Sequence, residues 1–246
     1  MSAPPPAAPP VLDDDGFVCR ETALVSLPFL PELRLHLATE ITPLWQTTED
    51  RLASRGLAPP YWAFAWAGGQ ALARYLLDRP AVARGKRVLD FAAGCGVAGI
   101  AAARAGAASV AASELDALAG SALALNAAAN GVALDILMAD LTLADLTLAD
   151  LTLADLTLAD RARAEPGRWD LVLAGDVCYE RPMAERAVAW LRRCVAEGAD
   201  VLLGDPGRAY LPKEGLVELA RYEVPTSREL EDRDSRATVI YRLGAA

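Results

Sequence analysis

The stretch that decides the fold is VLDFAAGCGVAG, from Val88 to Gly99. A run of apolar residues enters a cluster of glycines and an alanine-rich segment follows, which predicts a buried strand, a tight turn and a helix. Gly94 and Gly96 allow a ligand to approach the backbone closely, and the helix N-terminus supplies unpaired N–H groups. With Gly99 they satisfy the spacing GxGxxG, which is typical of loops that bind a dinucleotide. The stretch therefore predicts an α/β fold with a ligand at this turn.

A carboxylate follows this loop at the distance that a ribose contact requires. Glu114 lies 20 residues after Gly94, at the end of the next predicted strand, 108–113. An acidic residue at this spacing accepts hydrogen bonds from the ribose hydroxyls of a bound nucleotide. Asp116 takes this role instead if the strand ends later. The loop and the carboxylate together predict a nucleoside ligand.

The spacing of the glycines does not identify the ligand, and two kinds of enzyme compete. An NAD enzyme places a pyrophosphate on the helix N-terminus, whereas an S-adenosylmethionine enzyme places a zwitterionic methionine group there. Asp90 ends the first strand, four residues before Gly94. A carboxylate at that position repels a pyrophosphate and attracts an ammonium group. Asp90 therefore favours S-adenosylmethionine, while an NAD-dependent oxidoreductase and a purely structural turn remain as alternatives.

Predicted strands and helices alternate along most of the chain. The strands are predicted at 86–92, 108–113, 133–139, 168–175, 199–205, 220–225 and 236–243. This alternation predicts a doubly wound, mostly parallel seven-stranded sheet of the Rossmann-like type. Because only a short connection separates the last two strands, we expect one antiparallel strand near the C-terminal edge.

We expect three parts in the chain and one insertion. Residues 1–16 are predicted to form a disordered tail, 17–58 a small N-terminal extension with a hairpin, and 59–246 the sheet domain. The insertion, at about 141–165, contains most of the repeat ADLTLADLTLADLTLADLTLAD. Five residues advance a helix by about 140° beyond one full turn, and an odd period changes the exposed face of a strand. The repeat therefore predicts no regular element.

Composition narrows the possible partners and chemistry. The chain has 246 residues, a net charge of −9 and four cysteines without a CxxC pair. With no dense basic cluster and no membrane-length apolar run, we expect a cytoplasmic protein that binds neither nucleic acid nor membrane and holds no metal. The single histidine, His36, lies in an alternating stretch that favours a structural role. We therefore expect chemistry that does not use histidine.

Several segments resemble class I, seven-β-strand methyltransferases. Asp90, Gly94 and Gly96 fall on the DxGxGxG loop of that family, with Ala92 in place of its first glycine. The extra methyl group of Ala92 is expected to exclude a positive φ. A narrower resemblance, over about 30–243 without the repeat, is to the lysine methyltransferases of the electron transfer flavoprotein β subunit. It rests on LHLATEITPLW, PPYWAFAWAGGQALARYLLDRP, GKRVLDFAAGCG, NAAANG, WDLVLAGDVCYE and LLGDPGR.

This resemblance implies a protein-lysine N-methyltransferase with S-adenosylmethionine as cofactor. The electron transfer flavoprotein β subunit is the implied protein substrate, and ribosomal protein L7/L12 is also associated with the family. The cofactor-binding residues are expected to be Trp66, Asp90, Gly94, Gly96, Glu114 and Asp140. Asp140, the first aspartate of the repeat, is expected to contact adenine, with Asp145 as the alternative if the loop shifts by one unit.

The catalytic residues implied by the family's DxxY motif are Asp176 and Tyr179. Asp176 ends the strand predicted beside the first strand, at the topological switch point where ligands bind in open sheets. Its carboxylate is expected to orient the amine, and the hydroxyl or ring of Tyr179 is expected to face the same nitrogen. The alternative is that Asp176 caps the next helix and Tyr179 only packs. Asp205 and Arg208 are expected either to contact the substrate or to form a simple turn.

The same sequence features are compatible with two other functions. An acidic pocket also suits a compact amine, which would make the protein a small-molecule N-methyltransferase. A non-catalytic nucleoside-binding adaptor that uses the repeat as a docking arm is the alternative from another class.

Overall fold

The computed structural model describes residues 14–39, 59–143 and 168–244. The helices in these ranges are α1 (Asp14–Glu21), α2 (Ala67–Asp78), α3 (Val97–Arg104), α4 (Ala117–Ala129), α5 (Arg181–Ala196) and α6 (Arg228–Glu231). The strands are β1 (Ala23–Leu27), β2 (Leu30–Leu37), β3 (Arg87–Phe91), β4 (Ser109–Glu114), β5 (Asp135–Met138), β6 (Leu171–Gly175), β7 (Asp200–Asp205), β8 (Leu216–Pro225) and β9 (Ser235–Leu243). No helix among the described residues is long and apolar enough to cross a membrane.

The main sheet confirms the predicted fold class. In the described part of the chain it has seven strands in the order β5-β4-β3-β6-β7-β9-β8. The five strands from β5 to β7 run parallel, and β9 pairs antiparallel with both β7 and β8. The antiparallel strand therefore lies one position inside the edge, because the chain forms β8 first and then returns between β8 and β7.

Both faces of the sheet are covered, which explains why its central strands are apolar almost throughout. On one face, α5 packs against alternate strand residues such as Leu89 and Val172. On the other face, α2 and α3 pack against the intervening residues such as Val88 and Leu171. Strands that are buried on both sides are continuously hydrophobic rather than alternating, as in LVLAG of β6.

The N-terminal extension contains the predicted hairpin, formed by β1 and β2. Its apolar face packs on α2 and α3. Two asparagines of the NAAANG segment, both on or at the end of α4, hold its second strand, β2. The Oδ1 of Asn126 accepts a hydrogen bond from the N–H of His36 at 2.6 Å, and the Oδ1 of Asn130 accepts one from the N–H of Arg34 at 3.0 Å. The Nδ2 of Asn126 also donates to the carbonyl of Cys95 at 2.9 Å, so this residue joins the hairpin to the glycine loop.

The ends of the predicted parts lie partly outside the described residues. Helix α1 begins at Asp14, so the boundary that we predicted for the tail at residue 16 falls inside this helix. The repeat is described only as far as a single 3₁₀ turn, Leu141–Leu143. The remainder of the predicted insertion, together with Asp145, lies outside the described residues.

Helix α2 starts unusually close to the ends of β6 and β7. A Cβ atom added at Gly68 would clash with the carbonyl of Gly204 and lie 2.5 Å from the Oδ2 of Asp176. A Cβ added at Gly175 would meet the backbone N of Gly69 at 2.7 Å. Glycine on both sides of this contact allows the first turn of α2 to rest directly on the sheet edge.

We predict that Gly68→Ala lowers the free energy of unfolding by about 3 kcal/mol, because the added methyl group displaces the first turn of α2 from the strand ends. Gly69→Ala is the matched control. Its added Cβ would meet only the Cγ1 of Val97, at 3.1 Å, and alanine favours the helix by up to about 1 kcal/mol over glycine. Urea unfolding of both variants measures the difference, and equal losses of stability would contradict the proposed close contact.

Candidate active site

The carboxyl ends of the parallel strands form a cleft that brings several predicted site residues together. Its lining includes Phe64, Trp66, Asp90, Gly94 and Asp176. A larger cavity of about 350 Å³ lies at the opposite edge, at the amino ends of β3 to β5. The predicted site residues do not line that cavity, and ligands of open parallel sheets bind at the carboxyl ends. The cleft at the carboxyl ends is therefore the candidate site.

The glycine loop has a left-handed backbone at three positions. The φ angles are 52° at Ala92, 55° at Gly94 and 77° at Gly96, and Gly96 is the N-cap residue of α3. The expectation that Ala92 excludes a positive φ was wrong. The strand end that precedes the loop and the helix that follows it impose this angle, and Ser113 holds the backbone on both sides. Its Oγ accepts from the N–H of Ala92 at 3.3 Å and its carbonyl accepts from the next N–H at 3.1 Å.

Asp90 is a buried carboxyl group at the base of the cleft, with only 3% of its surface exposed. Its Oδ2 accepts a hydrogen bond from the N–H of Gly99, in the first turn of α3, at 2.7 Å. Burial raises the pKa of Asp90 to about 8; the bond from Gly99 opposes the rise, and the nearby charge of Glu114 adds to it. A cation that binds here would therefore favour the ionised carboxylate.

Glu114 closes the glycine loop from the end of β4. Its Oε1 accepts from the N–H of Gly94 at 2.6 Å, and its Oε2 accepts from the N–H of Leu115 at 3.0 Å. Each oxygen keeps one further acceptor position, so the carboxylate can still bind two hydroxyl groups. Asp116, in contrast, uses its Oδ1 to cap α4 through the N–H of Leu118 at 2.9 Å.

A carboxylate and two exposed apolar side chains lie where β4 and β5 end. Asp140 follows β5, and its Oδ1 accepts from the N–H of Thr142 at 2.9 Å and from the hydroxyl of the same residue at 2.6 Å. Leu115 follows β4 and Met138 ends β5, and 67% and 45% of their surfaces are exposed although both are large apolar residues. Exposed apolar surface and a carboxylate therefore lie at the carboxyl ends of these two strands.

Four contacting aromatic rings form a wall beside the cleft, and two of them, those of Phe64 and Trp66, line it. The Nε1 of Trp66 donates to the carbonyl of Tyr61 at 2.9 Å, and the ring of Trp66 meets those of Tyr61 and Phe64 edge-on, with centroids 5.9 and 6.2 Å away. Tyr179 lies against Tyr61 with ring centroids 5.6 Å apart. Burial raises the pKa of Tyr179 to about 12, so its hydroxyl is neutral near pH 7. Tyr179 therefore belongs to this wall.

Asp176 binds groups of the protein with both carboxylate oxygens. Its Oδ2 accepts from the N–H groups of Gly68 and Gly69 at 2.6 and 3.2 Å, and its Oδ1 accepts from the Nε and Nη2 of Arg208 at 3.2 and 2.8 Å. Four hydrogen bonds fill the acceptor positions of a carboxylate. Burial raises the pKa of Asp176 to about 6, and Arg208 limits the rise. The helix that follows Asp176 has no side-chain cap, so the expected capping of that helix was wrong. The N–H groups that Asp176 binds belong to the first turn of α2.

Comparison with known proteins identifies the family. A family model described as lysine methyltransferase matches residues 62–210. The electron transfer flavoprotein beta subunit lysine methyltransferase of Xenopus laevis is 35% identical over 222 residues, which cover 88% of this chain and 81% of the relative. The corresponding enzyme of Danio rerio is 33% identical and covers 94% and 83%; that of Rattus norvegicus is 34% identical and covers 86% and 76%. The chain belongs to the lysine methyltransferase family.

The match to the lysine methyltransferase family includes all residues that line the cleft, from Phe64 to Asp176, and the turn after β7. In that turn the Oδ1 of Asp205 accepts from the N–H groups of Gly207 and Arg208 at 2.7 and 2.6 Å. Asp205 is only 2% exposed and the guanidinium of Arg208 faces Asp176. Asp205 thus closes the expected turn, whereas Arg208 does more than form a turn, because it pairs with Asp176.

Sequence reasoning missed the residues that hold Asp176 in this lysine methyltransferase. The segment WAGGQALARYLLDRP has the pattern of an ordinary helix, which leaves the adjacent glycines Gly68 and Gly69 unexplained because glycine is unfavourable in a helix. Both β6 and β7 end in Gly-Asp, at 175–176 and 204–205. This repeated ending at neighbouring strands, together with a Gly-Gly helix start, is the pattern that indicates the close contact.

We predict that Ala92→Gly raises the free energy of unfolding by about 0.5–1 kcal/mol, because glycine adopts the observed φ without the penalty that a side chain causes. The matched control is Ala93→Gly, next in the same loop and outside the left-handed region. That substitution is expected to lower stability by about 0.5–1 kcal/mol. Opposite shifts of the urea midpoint support the left-handed angle; two similar losses would contradict it.

Proposed function

We propose that this lysine methyltransferase transfers methyl groups from S-adenosylmethionine to lysine side chains of the electron transfer flavoprotein β subunit. The observation that carries the proposal is the cleft itself, in which a buried carboxyl, a left-handed loop and a wall of aromatic rings meet at the carboxyl ends of the strands. The names of the relatives in Xenopus laevis and Danio rerio support this substrate. We expect the reaction to take place in the cytoplasm, and ribosomal protein L7/L12 is a second substrate to test.

The residues of the cleft fit S-adenosylmethionine better than a dinucleotide. Asp90 and Glu114 place two carboxyl groups beside the glycine loop, and they influence each other's charge. A pyrophosphate in this position would meet electrostatic repulsion, whereas the ammonium and sulfonium groups of S-adenosylmethionine would be attracted. The buried, otherwise costly carboxyl of Asp90 is the strongest argument for a cationic ligand.

Each part of the cofactor has a group that suits it. Asp90 would bind the ammonium group, and Gly94 and Gly96 allow the methionine part to lie against the backbone. Glu114 would accept hydrogen bonds from the ribose hydroxyls with its two remaining acceptor positions. Leu115, which is 67% exposed, would pack on adenine beside Asp140. Trp66, which lies near Arg208 and Asp176, would form the wall at the methyl end of the cofactor.

The protein's contribution to methyl transfer is alignment and exclusion of water. The cofactor supplies a methyl group that is activated by its bond to a positively charged sulfur. A lysine attacks in line with that bond and only as a neutral amine, so orientation and desolvation provide much of the rate. The rings of Tyr61 and Tyr179 can hold the lysine chain, and their π faces attract its ammonium form before the proton is lost.

Asp176 acts in this proposal as a positioning residue and not as a direct ligand of the amine. Its oxygens already bind the first turn of α2 and Arg208. Through α2 it fixes Trp66, the N-cap residue of that helix, at the wall of the cleft. Its charge still contributes to an acidic cleft that attracts a cationic side chain.

The proposal predicts that the purified protein transfers labelled methyl groups from S-adenosylmethionine to lysines of the electron transfer flavoprotein β subunit. The label is located by mass spectrometry, and a substrate without cofactor is the control. If calorimetry shows cofactor binding but the β subunit stays unlabelled, this substrate is excluded. Label on L7/L12 or on other lysate proteins would then redirect the search. Label that is found only in a metabolite extract would identify a small-molecule N-methyltransferase, and its complete absence would favour the adaptor.

A second prediction concerns the ribose. Glu114→Gln is expected to weaken cofactor binding about 10- to 100-fold, because a charged acceptor of two hydrogen bonds is lost. Asp116→Asn, the same change two residues later, is the matched control. Asparagine caps a helix about as well as aspartate, so both affinity and stability are expected to stay near wild type. Titration calorimetry measures both variants; a larger effect at Asp116 would assign the ribose to that residue.

A further inference from the structure

Arg208 is shared between the candidate site and a distant helix. Its Nε and Nη2 donate to the Oδ1 of Asp176, while its Nη1 donates to the Oε2 of Glu231 at 3.0 Å and its Nη2 to the Oε1 of Glu231 at 2.5 Å. The three side chains are 18%, 9% and 2% exposed for Arg208, Asp176 and Glu231. Two carboxylates therefore hold one guanidinium in a largely buried position, with a two-pronged contact to Glu231.

Glu231 is itself fixed from the other side. It ends α6, and the Nε of Arg236, in β9, donates to its Oε2 at 3.1 Å. The Nη2 of Arg236 also donates to the backbone carbonyl of Glu231 at 3.1 Å. A carboxylate with so little exposure is strongly destabilising unless it is paired. The two arginines provide that pairing and leave Glu231 with a defined orientation.

The topology explains how a residue so late in the chain reaches the cleft. Strand β9 is antiparallel to β7, with Val239 opposite Asp205. The connection from β8 to β9, which contains α6, therefore lies at the same edge as the carboxyl ends of the parallel strands. Glu231 also lies beyond residues 62–210, to which the family model extends.

The network ends at two residues that line the cleft. Asp176 is bound directly, and the guanidinium carbon of Arg208 lies 5.8 Å from the ring centroid of Trp66. A change in the orientation of Arg208 therefore moves the carboxylate that anchors α2 and the ring that forms the wall. A misplacement of about 1 Å in such groups is enough to lower a rate about 100-fold.

We propose that Glu231 is a positioning residue for methyl transfer, which acts through Arg208 on Asp176 and Trp66. This inference rests on the proposed function. It assigns to the connection between β8 and β9 a role in the alignment of the cleft.

The test compares Glu231→Gln with Glu229→Gln, the same change on the exposed face of the same helix. For Glu231→Gln we expect kcat to fall about 10- to 100-fold, while the stoichiometry and Kd of S-adenosylmethionine, measured by calorimetry, stay within threefold of wild type. The unchanged stoichiometry shows that the sites are folded. Glu229→Gln is expected to have wild-type kcat.

A double substitution tests the route through Arg208. If Glu231 acts through that side chain, Glu231→Gln combined with Arg208→Lys is no slower than Arg208→Lys alone. Equal fold-losses in both backgrounds would overturn the proposal, as would a kcat within twofold of wild type for folded Glu231→Gln. If Glu231→Gln does not fold, Glu231→Asp is tested instead, because aspartate keeps the negative charge but its shorter side chain places the carboxylate farther from Arg208. We expect at least a threefold loss of kcat, and a wild-type kcat would overturn the proposal.

The methylation activity of the wild-type protein shows whether a negative result overturns the role of Glu231 alone or also the proposed function. A wild-type protein that methylates no protein overturns both. A wild-type protein that methylates its substrate, beside a folded Glu231→Gln variant of equal kcat, overturns only the role of Glu231.

Discussion

The bond between the Asp176 carboxylate and the first turn of α2 is the constraint on which the candidate site depends. The carboxylate can reach the N–H groups of Gly68 and Gly69 only because these glycines lie directly on the ends of β6 and β7. The contact has an electrostatic cost. Because burial raises the pKa of Asp176 from 3.8 to about 6, the folded chain holds this proton more tightly than the unfolded chain. The free energy of unfolding therefore falls as pH rises from about 4 to 6, and Arg208 offsets part of that loss.

The two ends of the cleft differ in how their buried carboxyl groups are neutralised. Near Asp176 the positive charge is supplied by the protein, through Arg208. Near the glycine loop, Asp90 receives a hydrogen bond from an N–H group, and no ion pair of Asp90 is found among the described residues. A buried carboxyl group with a raised pKa and no cationic partner is stabilised in its charged form by a bound cation. The cleft thus favours a cation at one end and is neutralised internally at the other.

Local sequence patterns predicted most of the fold and, within the candidate site, the glycine loop and the carboxylate that closes it. The strands, the glycine loop and the position of Glu114 follow from spacing along a short stretch, so they could be predicted without tertiary information. The partners of Asp176 could not, because Gly68 precedes it by 108 residues and Arg208 follows it by 32. Ala92 shows the reverse case: the intrinsic preference of alanine predicts a negative φ, but the closure of the loop between β3 and α3 overrides it.

The direction of the last strand has a consequence for the site. A final strand parallel to β7 would need a crossover, and the connection before it would arrive at the edge far from the cleft. Since β9 runs antiparallel, the β8–β9 connection returns to the carboxyl edge, and its helix can place Glu231 against Arg208. The glycine loop and Asp176 belong to the part of the chain that matches the family model, whereas this contact comes from outside it. The antiparallel strand thereby brings a residue from outside the family match into contact with Arg208. Substitutions in that part of the chain can therefore alter the alignment of the site.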